Sequence, residues 1–353
     1  MTAMRAMTVI PGQPDSAELT DLPEPQPSEG ELLVEPTYLG VCGTDREILD
    51  GAHGEPPPGS ERLVLGHELL GRVRDAKGDF AEGELVAGIV RRPDPVPCVC
   101  CANGEWDMCR NGEYTERGIK GLDGFGAELV TLEEDFAVPV PDELGILGVL
   151  TEPASILAKA WEQIERIATR ACTVQGRVLV TGAGPIGLLA ALMGVQRGLE
   201  THVLDRAEDG IKPEVVGALG ANYRTGDIVD VSKSLRPDVV VECTGVAELV
   251  AGAMQHTAPG AVVCLTGVGE SRPLSVDVGA LNNELVLEND VVFGSVNANR
   301  RHFEAAVESL RSADRDWLGR LITRTVPLDR WPEALDKGDQ DIKVVVEFPH
   351  SDR

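Results

Sequence analysis

A glycine-rich turn between two short apolar runs is the feature that most constrains how this chain can fold. Val178–Val180 is followed by the pattern Gly-x-Gly-x-x-Gly, which begins at Gly182 and ends at Gly187. The second predicted strand, His202–Leu204, is followed directly by Asp205, about twenty residues on from the glycines, where an acid that binds a ribose is expected. This order predicts a strand, a turn, a helix and a second strand that together bind a dinucleotide.

The glycines of the turn have separate expected roles. Gly182 permits the turn, Gly184 lets a pyrophosphate approach the backbone, and Gly187 lets the following helix lie close to the strand. The helix that begins near Pro185 and Ile186 presents its free N–H groups to the phosphates. A glycine turn in some other α/β sheet is the alternative. Further parts of the same unit are predicted at residues 238–242 (strand), 247–256 (helix) and 260–265 (strand).

Composition excludes several classes of protein. At 353 residues the chain has room for two domains, and its longest clean apolar run, 186–195, is short of the roughly twenty residues of a membrane-spanning helix. The N-terminus lacks the apolar core and cleavage site of a signal peptide, so we expect a cytoplasmic protein with no membrane partner.

The formal net charge of −26 is spread along the chain, and lysine supplies only seven of the 32 basic residues. No basic cluster is present to neutralise phosphates, so nucleic acid is not an expected partner. The charge is compatible with a merely acidic protein, but the scarcity of lysine favours adaptation to a salt-rich cytoplasm.

Two glycine-flanked segments carry side chains that bind metals. Cys42 lies in the segment 40–45, and His67 and Glu68 lie in the segment 65–71. Alone, such residues are more typical of a core cysteine and a hydrogen-bonded histidine. Beside a nucleotide-binding unit they favour zinc, which takes thiolate and imidazole ligands. Either Glu68 or Glu152 is the candidate for a third ligand.

The cysteines fall into two groups. Four of the eight lie within twelve residues, which in an intracellular chain indicates a metal site before disulfides. These four are Cys98, Cys100, Cys101 and Cys109. Cys172, Cys243 and Cys264 lie in or near apolar segments and are expected to be inert core residues.

Together these segments resemble the zinc-dependent medium-chain alcohol dehydrogenases over nearly the whole chain. The shared features are Gly-His-Glu-x-x-Gly at 66–71, Cys42 upstream, and the glycine turn at Gly182. A closer resemblance is to the archaeal glucose dehydrogenase branch, including enzymes of halophilic archaea. The segments 112–119 and 294–297 carry the resemblance to that branch.

The resemblance implies an α/β fold with two domains. It implies a GroES-like, mainly-β, zinc-binding catalytic domain at 1–160 and a Rossmann domain with a doubly wound parallel sheet at 161–294. Residues 295–353 are expected to return to the catalytic domain. A helix at 146–164 is predicted to leave the catalytic domain, and the active site is expected in the cleft between the domains.

The resemblance also implies the site residues. Cys42, His67, Glu68 and Glu152 are implied to surround a catalytic zinc. The sugar hydroxyls are implied to be held by Thr44, Glu116, Glu152 and Asn297. Ile156 stands where some relatives have a further acid that binds the sugar. Contacts with the cofactor are implied for Gly182, Gly184, Pro185, Ile186, Gly187, Asp205, Arg206, Thr244, Thr266 and Asn297.

A second, structural zinc is implied by the cysteine cluster. Cys98, Cys101 and Cys109 match three of the family's four thiolate positions, and Pro95 stands at the first. Asp94 or Cys100 remains as a candidate fourth ligand, although adjacent Cys100 and Cys101 are awkward to direct at one ion. Free thiols in an ordered loop are the alternative.

The implied activity is zinc-dependent oxidation of D-glucose, or a close aldose, at C1 to the lactone, with hydride transfer to NADP or NAD. This would be the first step of a modified Entner-Doudoroff degradation. Zinc would act as a Lewis acid, and Thr44 would pass the proton of the reacting hydroxyl outward. Asp205 favours NAD and Arg206 favours NADP, so dual use is expected, and Asp205→Ser should improve NADP use.

The expected partners are a small-molecule sugar and further copies of the chain, as a dimer or tetramer. Two alternative functions remain at this point. One is another zinc polyol or alcohol dehydrogenase, against which Glu116 and Asn297 argue. The other is a zinc-free nucleotide-binding protein related to quinone reductases, against which the intact ligands Cys42, His67 and Glu68 argue.

Overall fold

The structure is a computed structural model, and it describes residues 3–170, 176–269 and 272–349. The chain divides into two units, one made of residues 1–155 and 297–353 and the other of residues 156–296. The first boundary lies five residues before the one predicted from the sequence, and the second lies two residues after it. Cys172 lies outside the described residues.

The first unit is built from short strands that pair mainly in antiparallel fashion. Its first part contains β1 (Ala3–Val9), β2 (Glu18–Pro23), β3 (Glu31–Val41), α1 (Gly43–Leu49), β4 (Leu63–Val64), β5 (Glu68–Val73), β6 (Leu85–Gly88), β7 (Arg91–Arg92), α2 (Val99–Ala102), β8 (Thr115–Arg117), β9 (Gly121–Leu122), β10 (Val130–Glu133) and β11 (Ala137–Pro139). Turns of 3₁₀ helix lie at Pro14–Ser16, Trp106–Met108, Glu134–Phe136 and Asp142–Leu150.

Strands and helices alternate in the second unit, as the sequence predicts. A long helix, α3 (Thr151–Ala168), leads into it from the first unit. The elements that follow are β12 (Arg177–Thr181), α4 (Pro185–Gln196), β13 (Glu200–Leu204), α5 (Ile211–Ala218), β14 (Asn222–Arg224), α6 (Ile228–Leu235), β15 (Val239–Glu242), α7 (Ala247–Ala253), β16 (Val262–Leu265), α8 (Val278–Glu288) and β17 (Val291–Gly294).

The last part of the chain belongs again to the first unit. It contains α9 (Arg300–Ser312), α10 (Arg315–Gly319), β18 (Ile322–Pro327), a 3₁₀ segment at Leu328–Ala334 and β19 (Lys343–Glu347). The closing strand β19 pairs antiparallel with β3, so the end of the chain is part of the same sheet as its beginning.

The largest sheet of the first unit is organised around β3. Its strand order is β11-β6-β5-β3-β19-β18, and β10 also pairs with β3. Burial alternates along β3, where Leu32 and Val34 are fully buried and the intervening residues are half-buried, as expected of a strand with one face on the core. The register against β5 shifts between Pro36 and Tyr38, a position where a proline without an N–H is tolerated.

All strands of the second unit are parallel, in the order β14-β13-β12-β15-β16-β17. Val239, Val240 and Val241 of the central β15 are fully buried, as continuous apolar strands covered on both faces require. The predicted fold class is confirmed. Burial raises the pKa of the Cys243 and Cys264 thiols, which is the behaviour of unreactive cysteines.

The helix predicted at 146–164 begins later and ends later than expected. The segment Asp142–Leu150 is 3₁₀ helix, and Gly145 within it is non-helical, with φ 50° and ψ −135°. Few residues other than glycine adopt a positive φ, so the apolar run there is broken before α3 begins at Thr151. The helix predicted at 247–256, by contrast, ends earlier than expected, at Ala253.

One helical stretch, Asp142–Ala168, is long and apolar enough to cross a bilayer by length and composition alone, with a mean hydropathy of 1.2. Its most apolar window is 83% buried inside the protein, and Trp161 within it is fully buried. Core helices of folded domains meet the same criterion, so the stretch is weak evidence for a membrane span.

Candidate active site and metal centres

Cys42 lies at the N-cap position of α1. Its backbone N–H donates to Asp45 Oδ2 at 2.8 Å, while the Cys42 side chain accepts from the backbone N–H of Asp45. The two bonds form a capping box, which satisfies N–H groups that the first helical turn leaves free. The Cys42 thiol also donates to Thr44 Oγ1 at 3.9 Å. The start of α1 therefore fixes the position of both side chains.

His67 lies directly before β5 and is buried. Its Nδ1 is 3.6 Å from Asp45 Oδ1, and neither atom has a hydrogen-bond partner in the described part of the chain. Burial lowers the pKa of the His67 imidazole, but the Asp45 carboxylate and Cys42 outweigh it and leave the pKa well above its ordinary value. A zinc-bound histidine directs its second ring nitrogen at just such a carboxylate.

Glu68, the first residue of β5, forms a buried ion pair. Lys343 Nζ of β19 lies 2.7 Å and 2.6 Å from the two carboxylate oxygens and donates to Val41 O at 3.2 Å. Burial lowers the pKa of the Lys343 ammonium, but Glu68 and neighbouring acidic groups outweigh it and raise the pKa. On β3 the register partner of Glu68 is Gly40, where a Cβ would stand 1.9 Å from Glu68 Oε2.

One ligand atom each from Cys42, His67 and Glu68 can be placed within 4.8 Å of the other two. Thiolate, imidazole and carboxylate are the donors that zinc takes, and three protein ligands leave the fourth position to water or substrate, as in catalytic sites. The unpartnered His67 Nδ1 beside Asp45 also suits a metal-bound imidazole. The residues present therefore fit a catalytic zinc.

Glu152, the alternative third ligand, lies in the first turn of α3 and does not belong to that group of three. Burial raises the pKa of its carboxyl to about 7, with His67 opposing the rise and Glu68 adding to it. The charge of the buried Glu152 carboxyl therefore depends on the candidate metal ligands His67 and Glu68.

Glu116 is held by two side chains. Its Oε1 accepts from Arg91 Nε at 3.0 Å and from Asn297 Nδ2 at 2.8 Å. Arg91 faces Glu116 across the β7–β8 pair, and its guanidinium lies over the Tyr114 ring, 3.7 Å from the centroid. Asn297 has a φ of 61°, a conformation that asparagine tolerates better than most residues. In the described chain no donor reaches Glu116 Oε2, which remains an acceptor for a ligand.

Cys98, Cys101 and Cys109 form the second group of metal-ligand atoms within 4.8 Å of one another. The backbone N–H groups of Cys101 and Arg110 lower the pKa of the Cys98 thiol to about 6, the Arg110 N–H lying 3.3 Å from Sγ. Burial raises the pKa of Cys101 to about 11. Three thiols in reach of one another fit zinc.

Neither candidate for the fourth ligand joins these thiols. Asp94 and Cys100 both belong to the described part of the chain, and neither is in the group that contains Cys98, Cys101 and Cys109. Asp94 Oδ1 instead accepts from the backbone N–H of Val96 at 2.8 Å. The first ligand position of the family pattern, Pro95, has no donor side chain.

The glycine turn has the geometry that a dinucleotide requires. Gly182 has a φ of 88°, and a Cβ at Gly187 would stand 1.7 Å from Gly182 O, so only glycine lets α4 start so close to β12. A Cβ at Gly184 would meet nothing within 4 Å. Pro185, the first residue of α4, has no N–H, so the free N–H groups of the first turn that suit phosphates are those of Ile186 and Gly187. The turn therefore fits a pyrophosphate.

Asp205 and the two threonines named from the sequence lie near the ends of the parallel strands. Asp205 Oδ2 accepts from the backbone N–H of Ala183, a residue of the glycine turn, at 2.7 Å. Thr244 N donates to the buried Glu242 Oε1 at 2.8 Å, and Thr266 Oγ1 donates to Glu242 O at 2.9 Å. Arg206 is exposed.

Two family models match the chain. The model described as Alcohol dehydrogenase GroES-like domain matches residues 28–142, and the model described as Glucose dehydrogenase C-terminus matches residues 145–348. The second alone covers more than half of the chain. The chain belongs to the glucose dehydrogenase family. The membership in the zinc-dependent medium-chain dehydrogenases that the sequence segments predict is confirmed.

Relatives of the glucose dehydrogenase family match almost from end to end. Glucose 1-dehydrogenase of Methanocella arvoryzae is 41% identical, over 98% of this chain and 99% of the relative. Glucose 1-dehydrogenase of Thermoproteus tenax is also 41% identical, with the same coverage. The solved structure of Haloferax mediterranei glucose dehydrogenase in complex with NADP, Zn and gluconolactone matches with a TM-score of 0.93 and 33% identity, over 98% of this chain and 100% of that one.

Sequence reasoning missed several residues that position this glucose dehydrogenase site. Asp45 lies in the segment 40–45 and has no predicted role, although its spacing of three from Cys42 is that of a capping box. One feature of the sequence could have identified Lys343, namely a charged residue directly before the three valines of β19. Arg91 and Glu242 carried no signal, because their importance depends on strand register and on loops brought together by the fold.

Proposed function

We propose that this protein oxidises D-glucose at C1 to the lactone, with zinc and NADP or NAD as its cofactors. The observation that carries the proposal is the end-to-end similarity to a glucose dehydrogenase whose structure contains NADP, Zn and gluconolactone, the oxidation product of glucose at C1. The ligand group of Cys42, His67 and Glu68 and the open glycine turn supply, in this chain, residues suited to both cofactors.

Each group of site residues has a separate proposed role. Cys42, His67 and Glu68 would hold a zinc that supplies Lewis acidity to the C1 hydroxyl, while Gly182–Gly187 would hold the nucleotide that accepts the hydride. Thr44 Oγ1, next to the Cys42 thiol, would accept the proton of the reacting hydroxyl while its own hydroxyl proton passes outward to water. Asp45 keeps His67 oriented.

The sugar ring requires several polar groups in fixed orientation, because each hydroxyl must exchange its bonds with water for bonds to protein. Glu116 is fixed on one side by Arg91 and on the other by Asn297, so its Oε2 is presented to a hydroxyl without freedom to turn away. Glu152 and Asn297 supply further acceptors and donors in the same unit.

The decisive experiment is initial-rate oxidation of glucose by the purified protein, with NADP and NAD in parallel, before and after removal of zinc by a chelator. We expect lactone formation with either nucleotide, loss of activity in the chelator and recovery on addition of zinc. If zinc-loaded, folded protein oxidises polyols but no aldose, the substrate assignment fails while the metal assignment stands.

Replacing Glu116 by Gln should lower kcat/KM for glucose by about 10- to 100-fold, because a charged acceptor of a sugar hydroxyl is lost. The fold should be unaffected, since Gln retains an oxygen that can accept from Arg91. Glu113→Gln changes an exposed acid of the same segment and is the matched control. Equal kinetics of the two variants would remove Glu116 from the sugar site.

Replacing Cys98 by Ser should lower the zinc content from about two to about one per chain and lower the melting temperature, because a structural zinc contributes directly to folding. Glucose oxidation at low temperature should persist. Cys100→Ser, which changes a thiol outside the group of three, should leave two zinc ions bound. Metal analysis and thermal unfolding measure the two effects. If the zinc content of Cys98→Ser equals that of the wild type, Cys98, Cys101 and Cys109 are free thiols in the native protein and not zinc ligands.

We also place the enzyme in the cytoplasm and expect it to form a homo-oligomer. The cysteines of the described chain are free. Cys98, Cys101 and Cys109 have Sγ atoms within 4.8 Å of one another, and thiols so close together stay reduced only in a reducing compartment or on a metal. Val278, Val286 and Leu287 of α8 are exposed, which suits a contact with a second copy. Light scattering of the purified enzyme tests the oligomer, and cell fractionation tests the location.

A further inference from the structure

The loop that follows β13 contains an acid whose two oxygens already have partners. Asp205 Oδ2 accepts from Ala183 N at 2.7 Å, and Oδ1 accepts from Ala207 N at 3.1 Å. The loop is also held from β14, because Asp205 N donates to Arg224 O at 3.1 Å and the Tyr223 hydroxyl donates to Ala207 O at 2.6 Å. Asp205 therefore ties its loop to the glycine turn.

Lys212, in the first turn of α5, balances the charge of this carboxylate. Its Nζ lies 3.3 Å from both Asp205 oxygens, longer than the roughly 2.7–2.9 Å of a strong charge-assisted hydrogen bond. The Lys212 side chain is 20% exposed, against 8% for Asp205. Because an ammonium has three donors and this one is loosely held, it can serve a second anion.

The 2′-phosphate of NADP carries a charge of about −1.5 to −2. It would lie close to Asp205, which occupies the position of the acid that binds the ribose. An uncompensated Asp205 would repel it, and displacing Asp205 would break its hydrogen bond to Ala183 N of the glycine turn. We propose that Lys212 is the cation that receives the 2′-phosphate of NADP, and that its pairing with Asp205 lets an acid and a phosphate share one site. This inference rests on the proposed function only in taking NADP as a cofactor.

Arg206 is adjacent to Asp205 in the chain but is exposed. Its contribution to phosphate binding can therefore be distinguished from that of Lys212 by the effect of salt. At about 1 M salt the Debye length is about 3 Å, so exposed charges are screened while partly buried pairs keep most of their interaction. In concentrated salt Lys212 should therefore account for most of the discrimination in favour of the phosphate.

The test is the dissociation constant of NADPH and of NADH, measured by fluorescence titration of the zinc-loaded enzyme at about 0.1 M and about 1 M salt. Lys212→Met should weaken NADPH by at least about tenfold and NADH by no more than about twofold, at both salt concentrations. Lys212→Arg should retain the preference. Arg206→Gln should weaken NADPH at low salt and have little effect at high salt. Lys233→Met, an exposed lysine of α6, is the control.

Two results would overturn the proposal. Equal weakening of NADPH and NADH in Lys212→Met would make Lys212 a residue that only maintains the loop. Unchanged NADPH binding in that variant would assign the phosphate to other residues. Wild-type enzyme that binds neither nucleotide would instead contradict the proposed function, so the two failures can be told apart without measuring glucose oxidation.

Discussion

Lys343→Met should lower the free energy of unfolding by about 3–5 kcal/mol, because it leaves the Glu68 carboxylate buried without its cation. The side chains of Lys343 and Glu68 are 2% and 1% exposed, so water cannot replace the lost partner. The methionine fills most of the volume of the lysine stem, which limits the contribution of packing defects. Denaturant unfolding in the presence of a chelator measures the effect without a contribution from metal binding.

The pair can be separated from its surroundings by a second substitution. Lys343→Met combined with Glu68→Gln removes both charges and should recover most of the lost stability, whereas additive losses would show that the two side chains do not depend on each other. Lys233→Met, at an exposed position of α6, should change the free energy of unfolding by less than about 0.5 kcal/mol. A loss in Lys343→Met no larger than in this control would contradict the buried ion pair.

His67→Gln should lower kcat for glucose by at least about 1,000-fold, because the Lewis acid that stabilises charge on the reacting oxygen is lost with its ligand. About one zinc per chain should be lost as well. The affinity for NADPH should be unchanged, because the glycine turn belongs to the other unit of the chain.

His53→Gln is the matched control for this variant. His53 is exposed, lies 3.4 Å from Glu47 and does not belong to the ligand group, so activity and zinc content should equal those of the wild type. Full activity of His67→Gln, or loss of zinc without loss of activity, would contradict the assignment of a catalytic zinc to Cys42, His67 and Glu68. Metal analysis of the same preparations decides between these outcomes.

The nucleotide-binding unit could be predicted because its signals are local. The glycine spacing from Gly182 to Gly187 and the strands on either side lie within thirty residues, and β12, β15 and β16 each contain a short, continuous apolar run. The sequence does not predict β14, α5, α6 or α8. Of these, β14 and α8 lack that signal, since β14 is three residues long and α8 buries none of its residues.

The candidate metal ligands could be predicted from residue type, but the residues that hold the site side chains in position could not. Glu68 and Lys343 are 275 residues apart in the chain, and they meet because β5 and β19 flank β3 on opposite sides. Arg91 and Asn297 reach Glu116 through a strand pair and through the return of the chain to the first unit. Such contacts depend on register, which residue spacing does not encode.

The position of Lys343 also bears on how the enzyme is made. The nucleotide-binding unit is one uninterrupted segment, 156–296, and can fold as soon as that segment has left the ribosome. The catalytic unit is split, and the lysine that pairs with Glu68 is synthesised after the whole of that segment. The buried charge of Glu68 is therefore balanced only after the nucleotide-binding unit has been made, so the catalytic unit cannot complete its core before the other unit is synthesised.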